Sequence, residues 1–448
     1  MASATQQLAS QFSWASFAKA KDLKARILFT LGALIVFRLG THIPVPGIDA
    51  NILADIFKDS SKGVMGMFDM FSGGALQRMA IFALNIMPYI SASIIVQLLA
   101  AVIPTFEQLK KEGELGRKKL AQYTRYLTVF LAVIQGYGMA VGLENMTGSQ
   151  GSAVIEPGMF FRLTTVVTLV GGTVFLMWLG EQITARGIGN GTSLIIFAGI
   201  AARIPTAIAQ LFELGKTGAI STPLIMAIMI MAVLVIMFIV FIERAQRRIT
   251  VQYPKRQVGT KIFGGESTHL PLKINTPGVI PPIFASSLLL LPMTLIGFSG
   301  NSATGWMADI ARWLQHGQPV YMLTYAALII FFTFFYTALV FNPVETAENL
   351  RKAGGFIPGM RPGKNTADYL DFVLTRISVI GALYMVFVCL LPEFMVSKFS
   401  IPFYFGGTSL LIAVTVTMDT VTQIHSYLIA HQYEGLLRKS RLKGSKKK

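Results

Sequence analysis

The amino-acid sequence predicts an all-α polytopic membrane protein of ten transmembrane helices in two pseudo-symmetric, inverted halves of five. Three observations predict it. Of 448 residues, 53% are hydrophobic and 14% charged, with a mean hydropathy of +0.58, a balance typical of chains that live in lipid. Ten apolar runs are long enough to cross a bilayer, which takes about 20 residues or about 30 Å of helix. They lie at roughly 26–43, 79–103, 124–142, 160–180, 190–210, 223–242, 277–298, 321–341, 373–391 and 403–429. Finally, thirty lysines and arginines fall on one side of these runs and seven on the other, Lys58, Lys62, Arg78, Arg162, Lys216, Arg312 and Lys398. That bias puts both termini in the cytoplasm. Five spans per half, an odd number, makes the second half enter the membrane upside down, the arithmetic of inverted repeats. The formal charge of +17 is thus a topological label and implies no nucleic-acid specificity.

The first segment, 1–25, is polar and lysine-containing, with no apolar core or small-residue cleavage site, so no signal peptide is expected. The N-terminal half runs from 26 to 210. Arg38, near the outer end of the first span, is expected to snorkel. The stretch Met65–Val102 is then unlike a plain span. Its first part is a turn or two carrying Asp69, ended by Ser72-Gly73-Gly74. Broken backbone cannot face lipid, because each unsatisfied polar group costs several kcal/mol. This part, 64–74, is either a re-entrant packing element or a movable stopper in a pore. In the second span Pro88 predicts a kink. Ile86 and Ile90, four apart, are placed on one helix face, with Ser91 turned to an adjacent one.

Between spans two and three, Phe106–Arg125 mixes both charges and reads as a solvated turn. Arg186-Gly187-Ile188-Gly189-Asn190-Gly191 lacks GxGxxG spacing and a preceding strand, which excludes a dinucleotide site and leaves a tight turn. An external loop at 211–222 is expected to be the hinge between halves. The C-terminal half, 223–430, contains two long inner loops, 243–276 and 342–372. The first, with ERAQRRITVQYPKRQVG and Gly264-Gly265, reads as a basic hairpin; long ordered loops of this kind are usually functional. The stretch 431–448 reads as a short, basic, frayed tail attracted to anionic lipid. Asp419 is the one acid well inside an apolar run and is expected to bond a neighbouring helix or to sit near the cytoplasmic end. Cys389 reads as a small buried residue.

Five separated segments carry a family resemblance. FDMFSGGALQR with NIMPYISASIIVQLL, WLGEQITARGIGNGTSLIIFAGI, STHLPLKINTPGVIPPIFASSLL, FYTALVFNPVETAENLRKAGGFIPGMRPG and PFYFGGTSLLI resemble the SecY family, channel subunits of the bacterial Sec protein translocon. The resemblance implies a clamshell with a pore between its halves. It makes Ile86, Ile90, Thr192, Ile196, Ile283 and Ile412 a ring at the narrowest point, with Thr192 departing from the usual aliphatic residue. It makes Met65, Met67, Phe68, Asp69, Phe71, Ser72, Gly73 and Gly74 a plug, and sets Ser91 and Leu291 facing each other across a lateral gate. Lys255, Arg256 and Arg361 match basic positions that receive the SecA motor and the ribosome. It further implies SecE and SecG as membrane partners, signal peptides and unfolded preproteins as cargo, the bilayer as receiver of apolar segments, no cofactor, and the bacterial inner membrane as location. An apolar ring suits such a conduit, since it resists wetting and offers a passing peptide no polar group.

Two other classes fit the pattern less well. An ion-coupled secondary transporter shares inverted repeats and broken helices, but no midplane cluster of charged groups is evident. A membrane enzyme would need a catalytic constellation, and the sequence has no HExxH, no GxSxG and no cysteine pair. His42, His269, His316, His425 and His431 are scattered in loops or near span ends.

Overall fold

The computed structural model describes residues 21–49, 52–53, 69, 72–144, 147–148, 151–218, 221–253, 256–258, 261–263, 267–298, 313, 318–399 and 407–445. Backbone contacts divide the chain into two compact units. One contains Met1–Tyr89, Tyr126–Pro205 and Val416–Lys448; the other contains Ile90–Arg125 and Thr206–Thr415. Among the described residues six helices are long and apolar enough to cross a membrane, or seven if one pair bent by 98° counts as a single span. Ile280–Leu289 adds a shorter apolar stretch. This is fewer than the ten runs read from hydropathy.

The first unit begins with α1, Lys21–Gly40. The chain then forms a backbone ladder with a later segment: Val45 N–H donates to Met79 O at 2.9 Å and Ile81 N–H to Ile43 O at 2.9 Å. Residues 73–86 are turns, and α2 is helical only over Met87–Val102. The expected second span therefore starts later than its apolar run. Met79 and Asn85 adopt positive φ, 43° and 50°, a conformation costly for methionine and better tolerated by asparagine. Pro88 consequently sits in the first helical turn, where no N–H is needed, and is a helix start instead of a kink. Ile86 precedes the helix, so it and Ile90 do not share a helix face. The turns are clamped by packing: Phe82 stacks between Phe37 and Phe175, with ring centroids 6.2 and 5.8 Å away.

In residues 104–125, which belong to the second unit, helix lies where a solvated turn was expected: α3, Pro104–Lys111, and the first turns of α4, Glu114–Glu144, whose remainder is the expected third span. Gly113, at φ 74°, makes the corner, and the Glu107–Lys111 pair at 2.7 Å supports α3. A hydropathy window sees only the apolar part of such helices. A small ladder of β1, Thr147–Gly148, and β2, Gly151–Ser152, leads to α5, Met159–Arg186, and α6, Gly191–Lys216. Helix α6 thus occupies the first half of the expected hinge loop. In α5, Thr164, Thr168, Thr173 and Thr184 donate to carbonyls four residues earlier, which satisfies their hydroxyls inside an apolar helix.

The second unit holds α7, Thr222–Arg244, and then the expected hairpin. Strand β3, Gln246–Gln252, pairs antiparallel with β6, Ser267–Lys273. Its outer continuation is β4, Arg256–Val258, with β5, Lys261–Phe263. After it come α8, Ile280–Phe298, α9, Pro319–Val340, α10, Pro343–Lys352, and α11, Lys364–Phe399. Asn342 caps α10 by accepting from Val344 and Glu345 N–H at 3.1 and 3.3 Å. The last helix, α12, runs from Gly407 to Ser445 and from Val416 onward belongs to the first unit, so the tail read as frayed is a helical continuation. Asp419 lies in it and is exposed, whereas Cys389 is buried.

Candidate functional site

The turn after the broken segment is built around one residue, Asp69, through its backbone carbonyl and its carboxylate. Asp69 O accepts from Gly74 N–H at 3.0 Å and from the Ser72 hydroxyl at 3.1 Å. Asp69 Oδ1 accepts from Gln77 N–H at 2.9 Å, and Ser72 Oγ from Leu76 N–H at 3.2 Å. The other carboxylate oxygen pairs with the Arg203 guanidinium of α6, and the two side chains are only 2% and 16% exposed. Arg38 reaches the same turn, donating from Nη1 to Gly73 O at 2.8 Å. The residue expected to snorkel thus also meets the broken backbone.

Glycine is required here for space as well as torsion. At Gly73, φ is 68°, and a Cβ would lie 2.9 Å from Gly199 Cα, closer than real side chains pack. At Gly74, φ is 89°, and a Cβ would point at the Arg203 guanidinium, 3.6 Å from its Nε. Backbone therefore meets backbone, with charges at the margin. Removing one member of a buried ion pair costs about 3–5 kcal/mol because the other charge is left unpaired.

The face of α6 that carries Gly199 and Arg203 also carries Thr192 and Ile196, at intervals of four, three and four residues, the spacing of one helical face. Ile196 is buried, as is Ile86. Thr192, Ile195 and Ile86 converge on the bare Cα of Gly180, where an added Cβ would meet Thr192 Cγ2 at 3.5 Å and Ile86 Cδ1 at 3.6 Å. The Thr192 hydroxyl is turned away, donating to Asn190 Oδ1 at 2.6 Å. Thr192 thus presents its methyl beside Ile86, and its polarity closes the helix start.

Ile90, Ile283 and Ile412 belong to the second unit and are buried there. Ser91 is buried in α2, and Leu291 lies within the bounds of α8. Met65, Met67, Phe68, Phe71 and Lys255 lie outside the described residues. Arg256 is in β4, and Arg361 is exposed on the segment between α10 and α11. That segment joins the hairpin: Gln252 and Phe356 exchange two backbone hydrogen bonds of 2.9 Å. Beneath them lies an apolar core of Ile249, Leu272, Ala347, Ile357, Ala367, Leu370 and Ile377. At the hairpin's root Asn275 donates to Glu243 Oε1 at 2.5 Å. The two inner loops are one folded body.

Arg203 is the residue that sequence reasoning passed over. The signal was present, because an arginine inside an apolar run demands a partner, and Asp69 was already marked as the acid of the broken segment.

The SecY family profile matches residues 80–421. The protein translocase subunit SecY of Rickettsia conorii is 57% identical over 422 residues, covering 94% of this chain and 97% of the relative. Among solved structures the chain is similar to a SecY channel described for a plug domain that stabilises its closed state and maintains a membrane seal, with TM-score 0.65, 18% identity and coverage of 90% and 92%. It is also similar to Sec61 in a canine ribosome–channel complex from the endoplasmic reticulum, with TM-score 0.64, 16% identity and coverage of 90% and 92%. At these identities the structural likeness is one of fold.

Proposed function

The chain belongs to the SecY family, and from that premise we propose how it conducts polypeptides: the ring isoleucines line a constriction and the broken segment closes it at rest. The protein is a translocation channel subunit and a multi-pass membrane protein, and its family is a channel family, not one of enzymes. The ion-coupled transporter reading has no support among its relatives. The observation that carries the functional conclusion is the 57% identity to a translocase subunit along nearly the whole of both chains.

The finer reading keeps ten spans in two inverted halves, with both termini cytoplasmic and the bacterial inner membrane as location. Residues 64–74 act as the plug. Ile86, Ile90, Thr192, Ile196, Ile283 and Ile412 form the ring, supported by the burial of all five isoleucines and by the methyl that Thr192 turns towards Gly180. The inner body of hairpin and 342–372 loop receives the motor and the ribosome; a Sec61 relative in a ribosome–channel complex supports the ribosome as partner. SecE, SecG and SecA complete the assembly, and SecA or translation supplies the energy that the channel itself lacks. Release of apolar segments sideways is favourable because each buried CH₂ gains about 0.8 kcal/mol.

The test is export into vesicles containing the full complex. Protease-protected preprotein should accumulate only with the motor and ATP; accumulation without this chain would overturn the reading. For lateral release, cysteines replacing Ser91 and Leu291 should form a disulfide, which needs Cα atoms about 4.4–6.8 Å apart, and the bond should block both export and insertion. Undiminished transport with the disulfide formed would place the seam elsewhere.

A further inference from the structure

The turn at 72–77 is held on α6 through Asp69 in an unusual way for a membrane protein. Gly73, Gly74 and Gly199 strip side chains from the point of closest approach to α6, beside the buried Ala75 and Leu76. The specific hold at that point is the pair of Asp69 and Arg203, both largely buried, with Arg38 on Gly73 O as a second point. We propose that the Asp69–Arg203 ion pair is a charge latch: it holds the Asp69–Gln77 turn against the Gly199 and Arg203 positions of α6, and its separation is the step that any opening of the resting seal must include. This rests on the reading of 64–74 as a stopper and names what sets its release.

The physics makes the latch sensitive to water. Two opposite charges attract about four times more strongly at an effective dielectric constant near 20 than in bulk water. While the site is dry, lifting the turn strands a carboxylate and a guanidinium. When a polar polypeptide brings water to the turn, both ends can be solvated and the pair weakens. An apolar contact would behave oppositely, since water strengthens it. The Arg38 contact goes to a neutral carbonyl, which hydration replaces at smaller cost. Opening and wetting are therefore coupled, and the segment stays shut until something hydrophilic arrives.

The experiment is the resting conductance of the full chain in planar bilayers. Asp69→Asn keeps an acceptor for Gln77 N–H but leaves Arg203 unpaired, and Arg203→Gln leaves Asp69 unpaired. Each should raise resting conductance about tenfold. The double variant Asp69→Asn/Arg203→Gln strands no charge and should fall back to within about threefold of the parent. Singles that stay tight, or a double as leaky as the worse single, would overturn the latch. Deletion of residues 64–72 in the same bilayers separates the two ideas. If the deletion does not leak, the stopper reading fails; if it leaks while the singles stay tight, the latch alone fails. Should Arg203→Gln not accumulate, Asp69→Asn and the charge-keeping Arg203→Lys decide: a leaky Asn variant beside a tight Lys variant supports the latch, and two tight variants overturn it.

Discussion

Two regions of the molecule are held together by the forces their sequences would least suggest. Residues 72–86 belong to a largely apolar stretch packed through Phe82, yet its first turn is fixed on α6 by Asp69, Ser72, Arg38 and Arg203. The inner loops 243–276 and 342–372 are rich in charge, yet their order comes from Ile249, Leu272, Ile357 and Leu370 packed beneath the hairpin. The contrast follows from solvent. In lipid an apolar contact gains little over the alternative, because the surroundings are equally apolar, so polar groups specify position. In water the hydrophobic effect drives assembly, and charges are left to the surface for recognition.

Arg361→Glu should break the recognition side most strongly. Arg361 is exposed, so folding should change by less than about 0.5 kcal/mol, while motor-driven export falls by at least tenfold in vesicles, given charge contacts worth about 2–5 kcal/mol when reversed. Normal export would sink the docking assignment. The opposite pattern is expected for Leu370→Ala, which empties a fully buried site at a cost of about 2–5 kcal/mol. Amide exchange in β3 and β6 should speed up accordingly, whereas exchange in α5, in the other unit, should not change. Equal acceleration in both places would dissolve the contrast.

In the broken turn Gly73→Ala is the sharper probe. A Cβ at φ 68° and 2.9 Å from Gly199 Cα should cost about 1–3 kcal/mol and raise resting conductance severalfold; a tight channel would mean that the turn tolerates displacement. The smallest effect is expected for Thr192→Val. Its methyl already faces Gly180 and its hydroxyl serves Asn190, so conductance should stay within about twofold while the start of α6 loses about 0.5–1.5 kcal/mol of hydrogen bonding. A tighter seal would show that the hydroxyl faces the path.

What the sequence revealed follows the same division. The hairpin was legible because Ile249, Thr250 and Val251 are β-branched, basic residues flank them, and the pair Gly264-Gly265 reads as a turn signal in the sequence. The spans α5, α7 and α9 were legible because uniform apolarity at helical length has few other solutions in a membrane. The start of α2 was not. Ile81–Ile86 is as apolar as a helix, and hydropathy cannot register that Met79 and Asn85 take positive φ. The polar helix α3 and the first turns of α4 escaped for the converse reason, since charged residues at a membrane surface look like a loop to any apolar window. Asp69 and Arg203 were both visible as intramembrane charges, but 134 residues separate them in the chain, and only folding shows that they meet.

The central claim is that this chain is itself the path, with the ring residues at its wall. A photoreactive amino acid at Ile86, Ile90, Ile196, Ile283 or Ile412, in vesicles holding a preprotein arrested in mid-export, tests it directly. Labelling of the arrested chain is expected from each of these positions and not from Val167 or Leu323, whose side chains are exposed on α5 and α9. Labelling confined to Val167 and Leu323, or absent from all ring positions, would contradict the account.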